Sequence, residues 1–154
     1  MNADRSTPKL VATKSAEPFE NPGAEERCAL LKRVKNIAVV GLSPNPERPS
    51  YGVSRAMQGF GYTIIPVHPA AREILGARAY PGLSDVPVAI DLVNVFRRAE
   101  HIDEVVDECL RLGLKNLWIQ EDIVNEPAAL RARQGGMTVV MNRCIYRDYR
   151  QYCS

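Results

Sequence analysis

Five short apolar runs alternate along the chain with segments whose apolar residues recur at helical spacing. The runs are Ile37 to Leu42, Tyr62 to Val67 (YTIIPV), Ala89 to Phe96 (AIDLVNVF), Asn116 to Gln120 (NLWIQ) and Met137 to Met141 (MTVVM). Ile37 to Leu42 is a continuous apolar run, as suits a strand buried on both faces, the environment of a parallel sheet. Between them, Val53, Ala56, Met57 and Phe60 stand at i, i+3, i+4 and i+7, and Ile102, Val105, Val106 and Cys109 make a second helical stripe. Asn21 and Pro22 followed by Glu25 and Glu26 read as the start of a first helix running to about Lys35. Gly59 and Gly61 end the second helix, Gly113 stops the third, and Pro127 opens a short one that Gly135 and Gly136 close. The stretch 68–87 is turn-rich, with a short edge strand expected around Ala77 to Tyr80. Such alternation predicts an α/β, doubly wound, mainly parallel sheet with helices on both faces and its first strand central. A ligand crevice is then expected at the carboxyl ends of the strands.

Length and charge narrow the classes. A chain of 154 residues, 45% of them hydrophobic, has room for one ordinary core and is short for two. A single domain over 21–154 is expected, preceded by a polar, aperiodic arm over residues 1–20. The net charge is +2 with the basic residues dispersed, so nucleic acid and anionic membrane surfaces are not expected partners. The first twenty residues lack the apolar centre of a signal peptide, and no apolar stretch is long enough to cross a bilayer, which predicts a cytoplasmic protein. Cys28, Cys109, Cys144 and Cys153 are scattered without CxxC or zinc-ligand spacing, and reduced thiols are expected of all four.

The segment VVGLSPNPERPSYG, residues 39–52, joins the first strand to the first crossover helix. In a doubly wound sheet this is the switch point where nucleotides bind. Free N–H groups at the helix start near Ser50 and Tyr51 favour an anion, and Ser43, Ser50 and Arg48 add hydroxyl donors and a full charge. The alternative is that Pro46 and Pro49 stiffen a surface turn and Ser50 is an N-cap. The loop lacks the GxGxxG of dinucleotide sites, since Ser43 and Pro46 stand where the second and third glycines would be. GxxxxGK[ST] fails as well, and the second strand ends at His68 where an NAD site wants an acidic residue.

IAVVGLSPNPERPSYGV, GYTIIPVHP, LGARAYPGLSDVP, DLVNVFRRAEHIDEVVDE, LWIQEDIVNEPAA and VVMNRCI resemble, in order and spacing, the small stand-alone CoA-binding domain proteins. That family is similar to the CoA-binding domain of the succinyl-CoA synthetase alpha subunit, and the resemblance spans about residues 21–147. It implies a Rossmann-like fold that binds CoA or an acyl-CoA. It further implies phosphate contacts from Gly41, Ser43, Arg48, Ser50 and Tyr51, and an adenine end near Val67, His68, Pro69, Phe96 and Arg97. Gln120, Asn142 and Arg143 would close the other side, whereas Trp118, inside an apolar run, reads as core. The chain departs from the family pattern at His68, usually asparagine, at Asp122, usually glycine, and at Asn142, usually aspartate. A carboxylate at position 122 opposes a polyanionic ligand unless it turns outward.

No catalytic constellation is visible. His68 and His101 have no local partner that would mark a triad or a metal site, and His101 reads as a solvated first-turn residue. Arg143 beside Cys144 could favour a thiolate, against the simpler reading of a buried, inert cysteine. The synthetase's phosphorylated histidine and ATP-activating domain lie on parts that have no counterpart here. The expectation is a CoA-binding module without complete catalytic machinery, acting in metabolism or regulation, with a protein partner left open. The alternatives are an enzyme using an NAD(P)-type nucleotide and an interaction domain with a vestigial crevice.

Overall fold

The computed structural model describes residues 18–154. Five parallel strands form the main sheet: β1 Asn36–Val40, β2 Thr63–Val67, β5 Leu92–Val95, β6 Asn116–Ile119 and β7 Thr138–Met141, in the order β2-β1-β5-β6-β7. The α/β, mainly parallel arrangement agrees with the alternation of runs and stripes. One detail differs, because β5 takes the middle and β1 stands second from the edge. The turn-rich stretch folds as a separate two-residue-per-strand hairpin, β3 Glu73–Ile74 with β4 Ala77–Arg78, and only Tyr80 bridges to the main sheet, at Val67. The run from Ala89 is strand only over its last part, since the Asp91 carboxylate turns back to accept the Lys35 and Asn36 N–H groups at 3.0 and 2.8 Å.

Helices cover both faces. On one lie α1 Ala24–Arg33, α2 Pro49–Gly59 and the short α5 Ile145–Asp148, packing Leu30, Leu31, Met57 and Ile145 against Ile37, Val39, Leu92, Trp118 and Val140. On the other lie α3 Ile102–Leu112 and α4 Glu126–Gln134 over Ala38, Val40, Val93, Val95, Leu117 and Ile119. The α3 stripe read from the sequence is the buried one: Ile102, Val106 and Cys109 are fully enclosed and Val105 is 6% exposed. Burying each large apolar side chain contributes about 1.5–3 kcal/mol, so these stripes anchor the helices that carry the loops.

Each sheet edge is met at one point, β2 by Tyr80 at Val67 and β7 by Asn21 at Met141. Asn21 is not the helix cap its position suggested; Gly23 is at that position, without a side-chain bond. The Asn21 amide instead pairs with β7, giving a hydrogen bond to the Met141 carbonyl and accepting the Met141 N–H, both at 2.8 Å. That mimics one rung of a sixth strand and blunts the exposed edge. Most of the expected arm, residues 1–17, lies outside the described residues. Of its remainder, Phe19 packs into the core at 9% exposure, with the Arg133 guanidinium 4.2 Å above its ring.

After α5 the chain makes a wide helical turn, Tyr149–Cys153, that returns to α1. Here the expectation of four reduced thiols is corrected, because Cys28 and Cys153 form a disulfide across a separation of 125 residues. No local motif announces a pair whose halves meet only when the C-terminal turn docks on α1. Buried Asp148 binds the same junction together, accepting from Arg27 Nε at 2.7 Å and Arg143 Nη2 at 2.8 Å.

Candidate functional site

The switch point of the sheet falls between β1 and β5. The chain leaves β1 towards α2 on one face and leaves β5 towards α3 on the other, so a crevice opens where the two loops part. Gly41, the first residue past β1, has φ +87°, and a Cβ there would collide with the Phe96 carbonyl across the gap. Only glycine lets the two loops approach so closely.

From Gly41 the loop bonds to itself. Ser43 N–H donates a hydrogen bond to Ser50 Oγ at 3.0 Å, Asn45 N–H to Ser43 Oγ at 3.0 Å, and Glu47 N–H to Asn45 Oδ1 at 2.9 Å. Arg48 takes the N-cap position and Pro49 is the first helical residue, so Ser50 is not the cap. Its hydroxyl holds the loop from inside, at 5% exposure. Tyr51 and Gly52 N–H groups go to the Arg48 carbonyl, which leaves fewer free backbone donors than the sequence suggested. Among the described residues, Ser50 N–H has no intramolecular acceptor. With the Ser43 and Ser50 hydroxyl protons and the exposed Arg48 guanidinium, it forms a compact set of donors at a positive helix end. These groups line a cavity of about 260 Å³ formed by Gly41, Ser43, Arg48, Pro49, Ser50 and Phe96.

That cavity is one end of a longer trench. Gly41, Ser43 and Phe96 also border a space of about 430 Å³ that reaches Val67, His68, Pro69 and Arg97 at the ends of β2 and β5. His68, Pro69 and Pro81 border in turn a third of about 690 Å³, reaching Arg72 and Arg78 on the β3–β4 hairpin. His68 Nδ1 accepts the Ala70 and Ala71 N–H groups at 3.0 and 2.9 Å, which leaves Nε2 as the ring's remaining hydrogen-bonding atom. Arg48, Arg97 and Arg72 have no carboxylate within ion-pair distance among the described residues. Glu104 and Glu108 on α3 line the middle of the trench as an acidic wall, with Arg48 at the loop end and, at the hairpin end, Arg72 and Arg78 together with the carboxylate of Glu73.

Ten of the expected site residues meet this trench or its margin: Gly41, Ser43, Arg48, Ser50, Val67, His68, Pro69, Phe96 and Arg97 line it, and Tyr51 borders the loop while packing against the core under α2. The other three do not join them. Gln120 is 2% exposed and its Oε1 accepts the Ile145 N–H at 3.1 Å, so it serves the start of α5. Arg143 is held by Asp148, whose hydrogen bonds, opposed by partial burial, push the guanidinium pKa further up. Asn142, at φ +63°, accepts the Asp122 N–H at 2.7 Å through its side chain, and Asp122 is itself exposed at φ +69°. Trp118 is core, fully buried with its indole N–H on the Arg143 carbonyl at 2.8 Å. Arg72, Arg78, Glu104 and Glu108 were missed. Arg72 stands in the turn-rich stretch, Arg78 in its expected short edge strand, and the two glutamates on the α3 stripe's polar side, places that carry no sequence signal for a site.

The chain is similar to known proteins in sequence and in fold. The family model for the CoA binding domain matches residues 35–150. An uncharacterized Bacillus subtilis protein, YneT, is 45% identical over 127 residues, which is 82% of this chain and 94% of that protein. A hypothetical protein from Pyrococcus horikoshii superposes with a TM-score of 0.84 at 32% identity, covering 90% of this chain and 98% of the other. The ADP-forming acetate–CoA ligase II of Archaeoglobus fulgidus is 32% identical over 87 residues, 55% of this chain but only 13% of the ligase. By its sequence, its five-stranded parallel sheet and its switch-point loop, this chain belongs to the CoA-binding domain family.

Proposed function

We propose that the protein binds CoA or an acyl-CoA in the trench between the α2 loop and the β3–β4 hairpin. The observation that supports this most is the placing of cations at both ends of one groove, Arg48 at the loop and Arg72 with Arg78 at the hairpin. CoA carries a diphosphate and a separate 3′-phosphate, whereas NAD carries the diphosphate alone. In this reading the diphosphate sits on Ser43, Arg48 and Ser50, and the adenosine lies past Phe96 and His68. The 3′-phosphate then faces Arg72 and Arg78. The acidic wall of Glu104 and Glu108 keeps phosphate out of the middle of the trench and offers acceptors to donor groups of the ligand.

The protein acts as a binding module and not as a complete enzyme. Among the described residues, the histidine of the trench, His68, has its Nδ1 taken by the Ala70 and Ala71 N–H groups, and the matched stretch is a small part of the ligase that resembles it. The chemistry would then reside in a protein partner to which the bound CoA is offered. CoA is an intracellular cofactor, so this function belongs in the cytoplasm; among the described residues no helix is long and apolar enough to cross a membrane. The test is thermal melting with CoA and with NADH at equal concentrations. CoA should raise the melting temperature and NADH should not; the reverse order would favour a nucleotide-dependent enzyme, and no shift with either a vestigial crevice.

A further inference from the structure

The two cysteines that the core does not bury are the two that meet. Cys28 on α1 and Cys153 in the last turn are joined, with Cα atoms 5.4 Å apart, and both are partly exposed to solvent. Cys109 and Cys144 are buried at 0% and 6%. Burial, aided by the charge of Glu108, pushes the Cys109 thiol up to about 12, so it remains an unreactive thiol near neutral pH. A solvent-borne thiol therefore meets the Cys28–Cys153 pair first.

The segment that this pair secures also props the helix of the candidate site. Tyr149 stacks on Phe60 at the end of α2 with centroids 4.1 Å apart, and Tyr146 lies parallel to the same ring at 6.0 Å. Tyr146 also lies beside Pro49, Gly52, Val53 and Ala56 along the outer face of α2, and Pro49 reaches the loop cavity. The C-terminal turn, α2 and the loop thus form one packed unit, tied covalently to α1 by the disulfide.

We infer that the Cys28–Cys153 disulfide is a reducible latch, opened by a dithiol reductant, whose release frees the C-terminal turn and loosens α2. One thiolate of the reductant attacks a sulfur of the pair, forming a mixed disulfide and expelling the other cysteine as a thiolate that takes up a proton. The second thiolate of the reductant then attacks the mixed disulfide. The protein gains two electrons and two protons, and the dithiol becomes a cyclic disulfide. Disulfides in reducing compartments are mostly transient or regulatory, so the latch acquires its use from the cytoplasmic function proposed above. The buried Asp148 junction with Arg27 and Arg143 stays in place, so opening loosens the turn without unfolding the domain.

The test uses the whole protein purified without reductant and needs no CoA, so it stands apart from the binding proposal. Thiol titration in denaturant should find two thiols, Cys109 and Cys144, and four after reduction. A dithiol should lower the melting temperature by about 10 °C. It should also speed amide exchange in residues 145–154 and in α2. Cys153→Ser should melt with the reduced wild type and ignore the reductant. Four thiols before reduction, an unchanged melting temperature on reduction, or α2 exchange that is the same in both states would each overturn the latch.

Discussion

Ser50 Oγ accepts the Ser43 N–H at 3.0 Å, so the first turn of α2 is tied back to the loop that leads into it. The bond lies inside the loop at a side chain only 5% exposed. It sets the spacing between the Ser43 hydroxyl, the Ser50 N–H and Arg48, the three donors offered at the helix end. One hydroxyl therefore holds both the fold of the loop and the geometry of the candidate site.

Ser50→Ala removes the acceptor of the part-buried Ser43 N–H, at a cost of about 1 kcal/mol. Urea unfolding should show that loss with an unchanged slope, and CoA binding should weaken alongside it. Wild-type stability in the alanine variant would mean that the bond contributes nothing to the loop.

Asp148 is 3% exposed and neutralises Arg27, itself 7% exposed, together with Arg143. Removing the carboxylate in Asp148→Ala leaves a buried guanidinium without its counter-charge, which should destabilise the protein by about 3–5 kcal/mol. Asp148→Asn, which keeps the shape and one acceptor, should lose less. A melting temperature for Asp148→Ala within a degree or two of wild type would show that the junction is not holding the C-terminal helix.

Two groups make the protein sensitive to alkali. Burial, with a smaller push from Tyr149, raises the Tyr62 hydroxyl from 10.0 to about 12, and burial with Glu108 raises the Cys109 thiol from 9.0 to about 12. In both, the folded state favours the neutral form. The stability they contribute is therefore complete below pH 9 and is lost as pH rises from there through 12. Melting temperatures should fall across that window, and Tyr62→Phe should flatten the upper part of the fall. The same alkaline slope in Tyr62→Phe would assign the loss elsewhere.

Much of the fold was legible because it rests on local pattern. The buried runs became strands, the stripe Ile102, Val105, Val106 and Cys109 became the buried face of α3, and Pro49 as first helical residue is where proline is tolerated. What could not be read depended on residues far apart in sequence. Asn21 looks like a cap until β7 is seen to be a bare edge 120 residues away. Gln120 and Arg143 sit past strand ends, as ligand contacts do, yet Ile145 and Asp148 occupy them because α5 folds back over the sheet. Cys28 and Cys153 gave no spacing signal for the same reason. The loop was read correctly as the switch point but not as a self-bonded turn, since Asn45, Ser43 and Ser50 satisfy backbone donors that a bare helix end would expose.

The central claim is that Arg48 and the loop donors hold the phosphates of CoA while the hairpin arginines meet the 3′-phosphate. Arg48 is exposed and makes no ion pair among the described residues, so Arg48→Ala should leave the fold intact. It should weaken CoA by about 1.5–3 kcal/mol, roughly 10- to 150-fold. Calorimetric titration of wild type and Arg48→Ala with CoA, dephospho-CoA and NADH measures this directly. The account predicts that wild type binds CoA most tightly, dephospho-CoA less and NADH least, and that the variant loses affinity for CoA. Equal CoA binding by wild type and Arg48→Ala, or tighter binding of NADH than of CoA, would contradict it.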